Sequence, residues 1–131
     1  AIELEPARLD YYGELADLLT LEADWENLRY VCSQAEKWFS NPFFIGQQGY
    51  ALTRMGKFRE AIPFFQKAVE ADPATGWYKA SLGWCYLETG KKEKGKKLIS
   101  EGLSIGTGFE EKGFFENLLK EASQKNSGKI D

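Results

Sequence analysis

The chain repeats itself. Laid over itself with a shift of 34 residues, Gly49 falls on Gly83, Gly56-Lys57 on Gly90-Lys91, and Phe43-Phe44 on Trp77-Tyr78. The same shift carries Tyr50 onto Trp84, Phe65 onto Ile99, and Ala61 and Ala68 onto Gly95 and Gly102. Glycines that return in register with aromatic and small residues constrain the fold strongly. A supersecondary unit of this length cannot bury its apolar face alone and must stack on its neighbours. Each period holds a stretch of about 14 residues, a Gly-Lys break and a second stretch of similar length, which reads as helix, turn, helix.

The punctuation agrees. Asn41 before Pro42 reads as an N-cap with proline at the first helical position. Gly56 and Gly90 close the first helix of each pair, where a residue free to take positive φ is wanted. Pro73 follows Asp72 where the second helix must stop, and Pro63, within the first two turns of that helix, predicts a mild kink. Small residues mark the seams: Gly49 is expected to meet Ala61, with Phe65 one turn away supplying bulk and Ala68 admitting the next pair. In the later copy two glycines, Gly95 and Gly102, fall inside one helix beside a like-charged run. Each is about 1 kcal/mol worse than Ala in a helix, so this helix is expected to be the softest element.

A weaker copy precedes these two. A shift of 33 carries Ala16 onto Gly49, Trp25 onto Phe58, Leu28 onto Ala61 and Ala35 onto Ala68, with Cys32 in the bulky place of Phe65. Its turn is Glu22-Ala23-Asp24, with no glycine. After the copies, Phe114, Phe115, Leu118, Leu119 and Ala122 form one apolar stripe with charged residues opposite, as an array end requires. The organisation expected is an all-α, right-handed solenoid of three hairpins and a capping helix, seven helices with no sheet. Residues 9–41 form a degenerate repeat, 42–75 and 76–109 two clear ones, 110–124 the cap and 125–131 a frayed tail.

With Gly49, Ala61-x3-Phe65 and Pro73 in the first clear copy and Leu82-Gly83-x2-Tyr86 in the second, the chain resembles the tetratricopeptide repeat (TPR) family. The turn Gly56-Lys57-Phe58-Arg59-Glu60-Ala61 resembles that family's inter-helix turn. It departs at Ile45, Gln48 and Leu52, and again at Ile99 and Thr107 in the second copy. The resemblance implies a concave wall built by the first helix of each pair, on which a peptide or protein segment binds. Projected onto this chain, the inward residues are Asp10, Glu14 and Asp17 from the first pair. The second pair offers Phe43, Gln47, Tyr50 and Arg54, and the third Trp77, Ser81, Trp84 and Glu88. One subclass of the family grips a terminal carboxylate with Lys and Asn. The matching places here hold Gly13, Asp17, Gly46, Tyr50, Ala80 and Ser81, so that clamp is missing.

Composition narrows the function further. Four Trp, six Tyr and nine Phe need housing in a core or on a binding face. For Phe43 and Trp77, near helix starts, packing between helices competes with the groove; for Tyr50 and Trp84 the groove is favoured, since Gly49 and Gly83 leave the seam free of them. There is no histidine, the commonest general base and zinc ligand, and no Gly-rich phosphate loop or nucleophile motif. An enzyme, a metal site and a cofactor are therefore not expected. A net charge of −3 disfavours nucleic acid as a partner. Lys91-Lys92-Glu93-Lys94-Gly95-Lys96-Lys97 reads as the solvated face of a helix, although an acidic partner would suit it too. Cys32 and Cys85 sit among apolar neighbours and read as core, with a disulfide left open by their spacing. The start, Ala1-Ile2-Glu3-Leu4-Glu5, has no leader pattern and no initiating Met, which suggests a piece of a longer or processed protein. No apolar run reaches a membrane-spanning length, and a cytoplasmic setting is expected. The partner expected is a protein or peptide. Self-assembly through repeat ends or charged surfaces is the alternative, and a homo-oligomer is left open.

Overall fold

The computed structural model describes residues 8–106 and 110–128. Glu3, Glu5, Thr107 and the last residues, 129–131, lie outside the described residues. Among the described residues seven helices run in order: α1 (Leu9–Leu21), α2 (Trp25–Trp38), α3 (Pro42–Arg54), α4 (Phe58–Ala71), α5 (Gly76–Glu88), α6 (Lys92–Ile105) and α7 (Lys112–Gly128). Among the described residues there is no strand, and no helix is long and apolar enough to cross a membrane.

Local chemistry sets the boundaries. Asn41 Oδ1 accepts the Phe43 N–H at 3.0 Å, and Pro42 occupies the first turn of α3. Asp24 caps α2 by accepting the Asn27 N–H at 3.3 Å and its side-chain amide at 2.8 Å. One turn is used three times. The amides of Asp24, Lys57 and Lys91 donate back to the carbonyls of Leu19, Leu52 and Tyr86 at 2.9, 2.8 and 2.8 Å. Such a six-residue closure needs its penultimate residue at positive φ. Gly56 and Gly90 supply it at 78° and 93°, and in the degenerate copy Ala23 is driven to 57°. The three breaks are thus the same structure, one of them built with a residue that resists it. Pro63 lies within α4 on its exposed side, and the helix continues through it.

Consecutive helices pack antiparallel, and the core runs as three linked clusters through the array. The first gathers Tyr12, Leu28, Val31, Cys32 and Phe44; the second Leu52, Phe65, Leu82, Cys85 and Tyr86; the third Ala80, Ile99 and Phe115. Both cysteines are free and buried, which excludes a disulfide between them. Gln48, where the family resemblance implied Leu, is buried but satisfied. It donates to Glu36 Oε1 at 2.7 Å and to the Phe44 carbonyl at 3.1 Å, while Lys67 pairs with the other Glu36 oxygen at 3.5 Å. One carboxylate thereby ties α2, α3 and α4 together.

The seams differ from the sequence expectation in two ways. The space at Gly49 is filled by the Phe65 ring rather than reserved for Ala61: a Cβ there would stand 2.9–3.1 Å from three of its atoms. In the next hairpin the helices meet backbone to backbone. A Cβ at Gly83 would stand 2.6 Å from the Gly95 carbonyl oxygen, and one at Gly95 2.7 Å from that of Gly83. Gly76 and Gly102 face each other in the same reciprocal way. Gly95 and Gly102 therefore exchange helix propensity for a close approach that no other residue permits. The last helix begins at Lys112 and continues to Gly128, four residues past the boundary expected at 124.

Candidate functional site

The odd-numbered helices form one layer. α3 touches α5 and α5 touches α7, whereas α2, α4 and α6 make no comparable contact with one another. An array whose odd helices crowd together curls with those helices on its inner side. Near the start of each odd helix stands a pair of adjacent aromatic residues: Tyr11-Tyr12, Phe43-Phe44, Trp77-Tyr78 and Phe114-Phe115. Each pair is edge to face, with ring centroids 5.5, 5.3, 5.5 and 5.3 Å apart. The second ring of every pair is buried and anchors the helix, which leaves the first nearer the surface. Gly46 makes room for one anchor, since a Cβ there would stand 2.5 Å from Tyr78.

Two adjoining hollows open on this layer. The smaller, of about 90 Å³, has Tyr50, Trp77, Trp84 and Phe114 as aromatic walls, with Ser81 and Arg54 on α5 and α3. The larger, of about 350 Å³, carries Asp17, Glu110 and Glu111 with Gln47 and Thr20 between them. Tyr50, Trp77 and Glu111 belong to both, so the two are parts of one groove. The rings support one another: Tyr50 lies 6.0 Å from Trp77 and 5.7 Å from Trp25, and Trp77 5.7 Å from Phe65. The Arg54 guanidinium sits over the Trp25 ring at 5.4 Å. Trp84 is braced by Phe58 at 5.3 Å and by Phe114 at 4.9 Å, so only part of its surface faces the hollow.

Of the eleven residues projected inward from the sequence, the groove gathers seven: Asp17, Gln47, Tyr50, Arg54, Trp77, Ser81 and Trp84. Four fall elsewhere. Phe43 packs on the first core cluster against Phe44. Glu14 stays exposed one turn nearer the start of α1. Glu88, the last residue of α5, lines a separate cleft with Leu87, Leu118 and Glu121. Asp10 pairs with Arg8 at 3.4 Å, and its carboxyl is lowered by a backbone hydrogen bond at Tyr11 and by that arginine. Five groove-lining residues were missed by the sequence projection, Thr20, Glu110, Glu111, Phe114 and Phe115, as was Trp25, which backs the wall behind Tyr50. Trp25 was aligned with Phe58 and so assigned to a second helix. Glu110, Glu111 and Phe114 were assigned to a cap, although the Phe114-Phe115 doublet repeats the aromatic pair of an inner helix.

The remaining chemistry is quiet. Among the described residues no group of His, Cys, Asp and Glu could hold a metal ion. Burial pushes both thiols up to about 12, helped by the charges of Glu36 near Cys32 and Glu88 near Cys85, so neither is a nucleophile at neutral pH. In the basic run, Lys94 lies 4.5 Å above the Tyr86 ring and Lys96 pairs with Glu93 at 3.8 Å.

Residues 52–108 match the family model described as tetratricopeptide repeat. No curated protein is significantly similar to the chain. Among solved structures, the fold is similar to SycD, the type III secretion translocator chaperone of Yersinia enterocolitica. The TM-score is 0.81 at 15% identity, covering 95% of this chain and 90% of that one. A SycD structure in complex with a peptide of the translocator YopD gives 0.80 at 15% identity, covering 95% of this chain and 99% of that one. The TPR2B domain of yeast Sti1, in complex with pHsp70, gives 0.79 at 16% identity over 88% and 96%. At such identities the likeness speaks to fold alone. Residues 52–108 carry the tetratricopeptide repeat match, and the described helices stack as a helical-hairpin solenoid like the tetratricopeptide repeat domains the chain is similar to.

Proposed function

We infer that this domain is a protein-interaction module, not an enzyme, and that it binds a peptide segment in the groove of its odd helices. In this reading residues 9–41, 42–75 and 76–109 act as three repeats closed by a cap at 110–124, within a larger cytoplasmic protein. One observation carries it: side chains from α1, α3, α5 and α7, far apart in sequence, converge on a single half-open groove with aromatic walls and a carboxylate rim. Exposed edges of Trp and Tyr rings combine apolar area with little rotamer entropy to lose, which is why they dominate binding hot spots. Solved domains of this fold in complex with peptides support it. Peptides selected from a displayed random library supply the test. Tyr50→Ala or Trp84→Ala should weaken the selected peptide by about 1–3 kcal/mol, with melting checked for each variant. Lys94→Glu, on α6, should change affinity little. If Lys94→Glu abolishes binding and both ring truncations are silent, the basic helix is the site and the groove is not.

A second reading is a scaffold that self-assembles through its repeat ends. It draws on apolar side chains left in solvent at the first hairpin, with Leu21 84%, Trp38 55% and Leu18 49% exposed. Light scattering against concentration separates the two.

A further inference from the structure

The groove's two hollows differ in chemistry, and α7 with the turn before it contributes to both. The smaller hollow is walled by rings of α3 and α5 on one side and by Phe114 and Phe115 on the other. At about 90 Å³ it is smaller than the engineered cavity of about 150 Å³ that accepts benzene, so a branched aliphatic side chain suits it better than an indole. The larger hollow has no lysine or arginine on its walls, and none of Asp17, Glu110 and Glu111 makes an ion pair among the described residues. Arg54 stands in the smaller hollow, over Trp25, and does not reach the rim of the larger one.

Taking the groove as the binding face, we propose that it reads a short motif in a partner protein: one branched aliphatic side chain with a Lys or Arg close by. The aliphatic group enters between Trp77, Trp84 and Phe114. The cation lies at the rim of Asp17, Glu110 and Glu111. Because Tyr50, Trp77 and Glu111 wall both hollows, the two groups sit about one to three residues apart on an extended segment, at roughly 3.3 Å per residue. Arg54 fixes the sense, since a cation is repelled from its end and drawn to the opposite rim. The turn before α7 thus sets specificity: Glu110 and Glu111 turn a groove of this fold toward basic ligands. An acidic tail meets three carboxylates and is rejected.

The test is fluorescence anisotropy on labelled ten-residue Gly/Ser peptides carrying one Leu and one Lys at the three spacings. Controls replace Leu by Ala or Trp, or Lys by Glu. At least one Leu/Lys spacing should bind about tenfold or more tighter than its Glu control, with affinity falling as salt rises. Glu110→Lys with Glu111→Lys should reverse that preference, and Phe114→Ala, at an exposed ring, should weaken the Leu peptide while circular dichroism stays unchanged. Equal binding of Lys and Glu peptides, a preference untouched by the double reversal, or no binding by any member overturns the proposal. Self-association that occupies the groove at assay concentration overturns it too, by assigning the site to a second copy. If the motif binds but Tyr50→Ala has no effect, the groove itself is the error. If Tyr50→Ala weakens binding and charge is irrelevant, only the motif is.

Discussion

The two clear hairpins solve one packing problem by different means. In α3/α4 the helices are held apart by a ring: Phe65 fills the space at Gly49 and continues to Trp77 in the groove wall. In α5/α6 the helices touch through Gly76, Gly83, Gly95 and Gly102, and Ile99 stands where Phe65 would. A ring can tilt when its socket changes. A backbone carbonyl held in a helix cannot move without its neighbours. The first hairpin is therefore adjustable and linked to the groove, while the second is a stiff base on which Trp77 and Trp84 stand. The glycines of α6 trade helix propensity for contact with α5, and hydrogen exchange decides which of the two sets the softness of that helix.

The largest expected effect separates the bulky residues. Phe65→Ala should cost about 3–5 kcal/mol in urea unfolding, since the seam loses the ring that fills the space at Gly49. Ile99→Ala should cost about 2–3 kcal/mol, near the low end for such truncations, because the glycine contact remains. Equal losses would erase the distinction. Next come the glycines. Gly83→Ala should lose about 1–3 kcal/mol despite the better helix propensity of Ala, because its Cβ meets a carbonyl. Gly49→Ala should lose about 1 kcal/mol or less, recovered in part by Phe65→Leu, which shortens the opposing side chain. If a smaller Ile99 rescues Gly83→Ala equally well, the backbone contact is not what limits that seam. The smallest effect concerns the degenerate hairpin. Ala23→Gly should stabilise by roughly 0.5 kcal/mol, as relief of left-handed strain outweighs the lost chain stiffness. A loss of stability there would mean the turn is not held as described.

The helix plan was legible because it rests on local signals with few alternatives: the Asn41-Pro42 start, the Gly56 and Gly90 turns and the 34-residue register. The inner positions of α3 and α5 were legible for the same reason, and Tyr50, Trp77 and Trp84 share the hollow. What was not legible depended on where one hairpin sits against the next. Trp25 begins a second helix yet reaches Tyr50 across the array, and Glu110 and Glu111 enter the groove only because α7 folds back beside α5. Register within a repeat specifies a face but not the distance between faces, so Glu14 and Glu88 were placed on a wall that does not extend to them. Gly49 and Ala61 were matched as small residues, and Phe65 was given the bulk of the same seam with no sequence cue that its ring would stand at Gly49 itself.

The four tryptophans give the most direct test of the groove. Their indole N–H signals are separable in a nitrogen–proton correlation spectrum, and each reports a different place. Trp77 and Trp84 line the smaller hollow, Trp25 backs Tyr50, and Trp38 is exposed at the end of α2, away from both hollows. Titrated with a library-selected peptide, Trp77 and Trp84 should shift most, Trp25 less and Trp38 not at all. A peptide that moves Trp38 while leaving Trp77 and Trp84 in place would contradict the account.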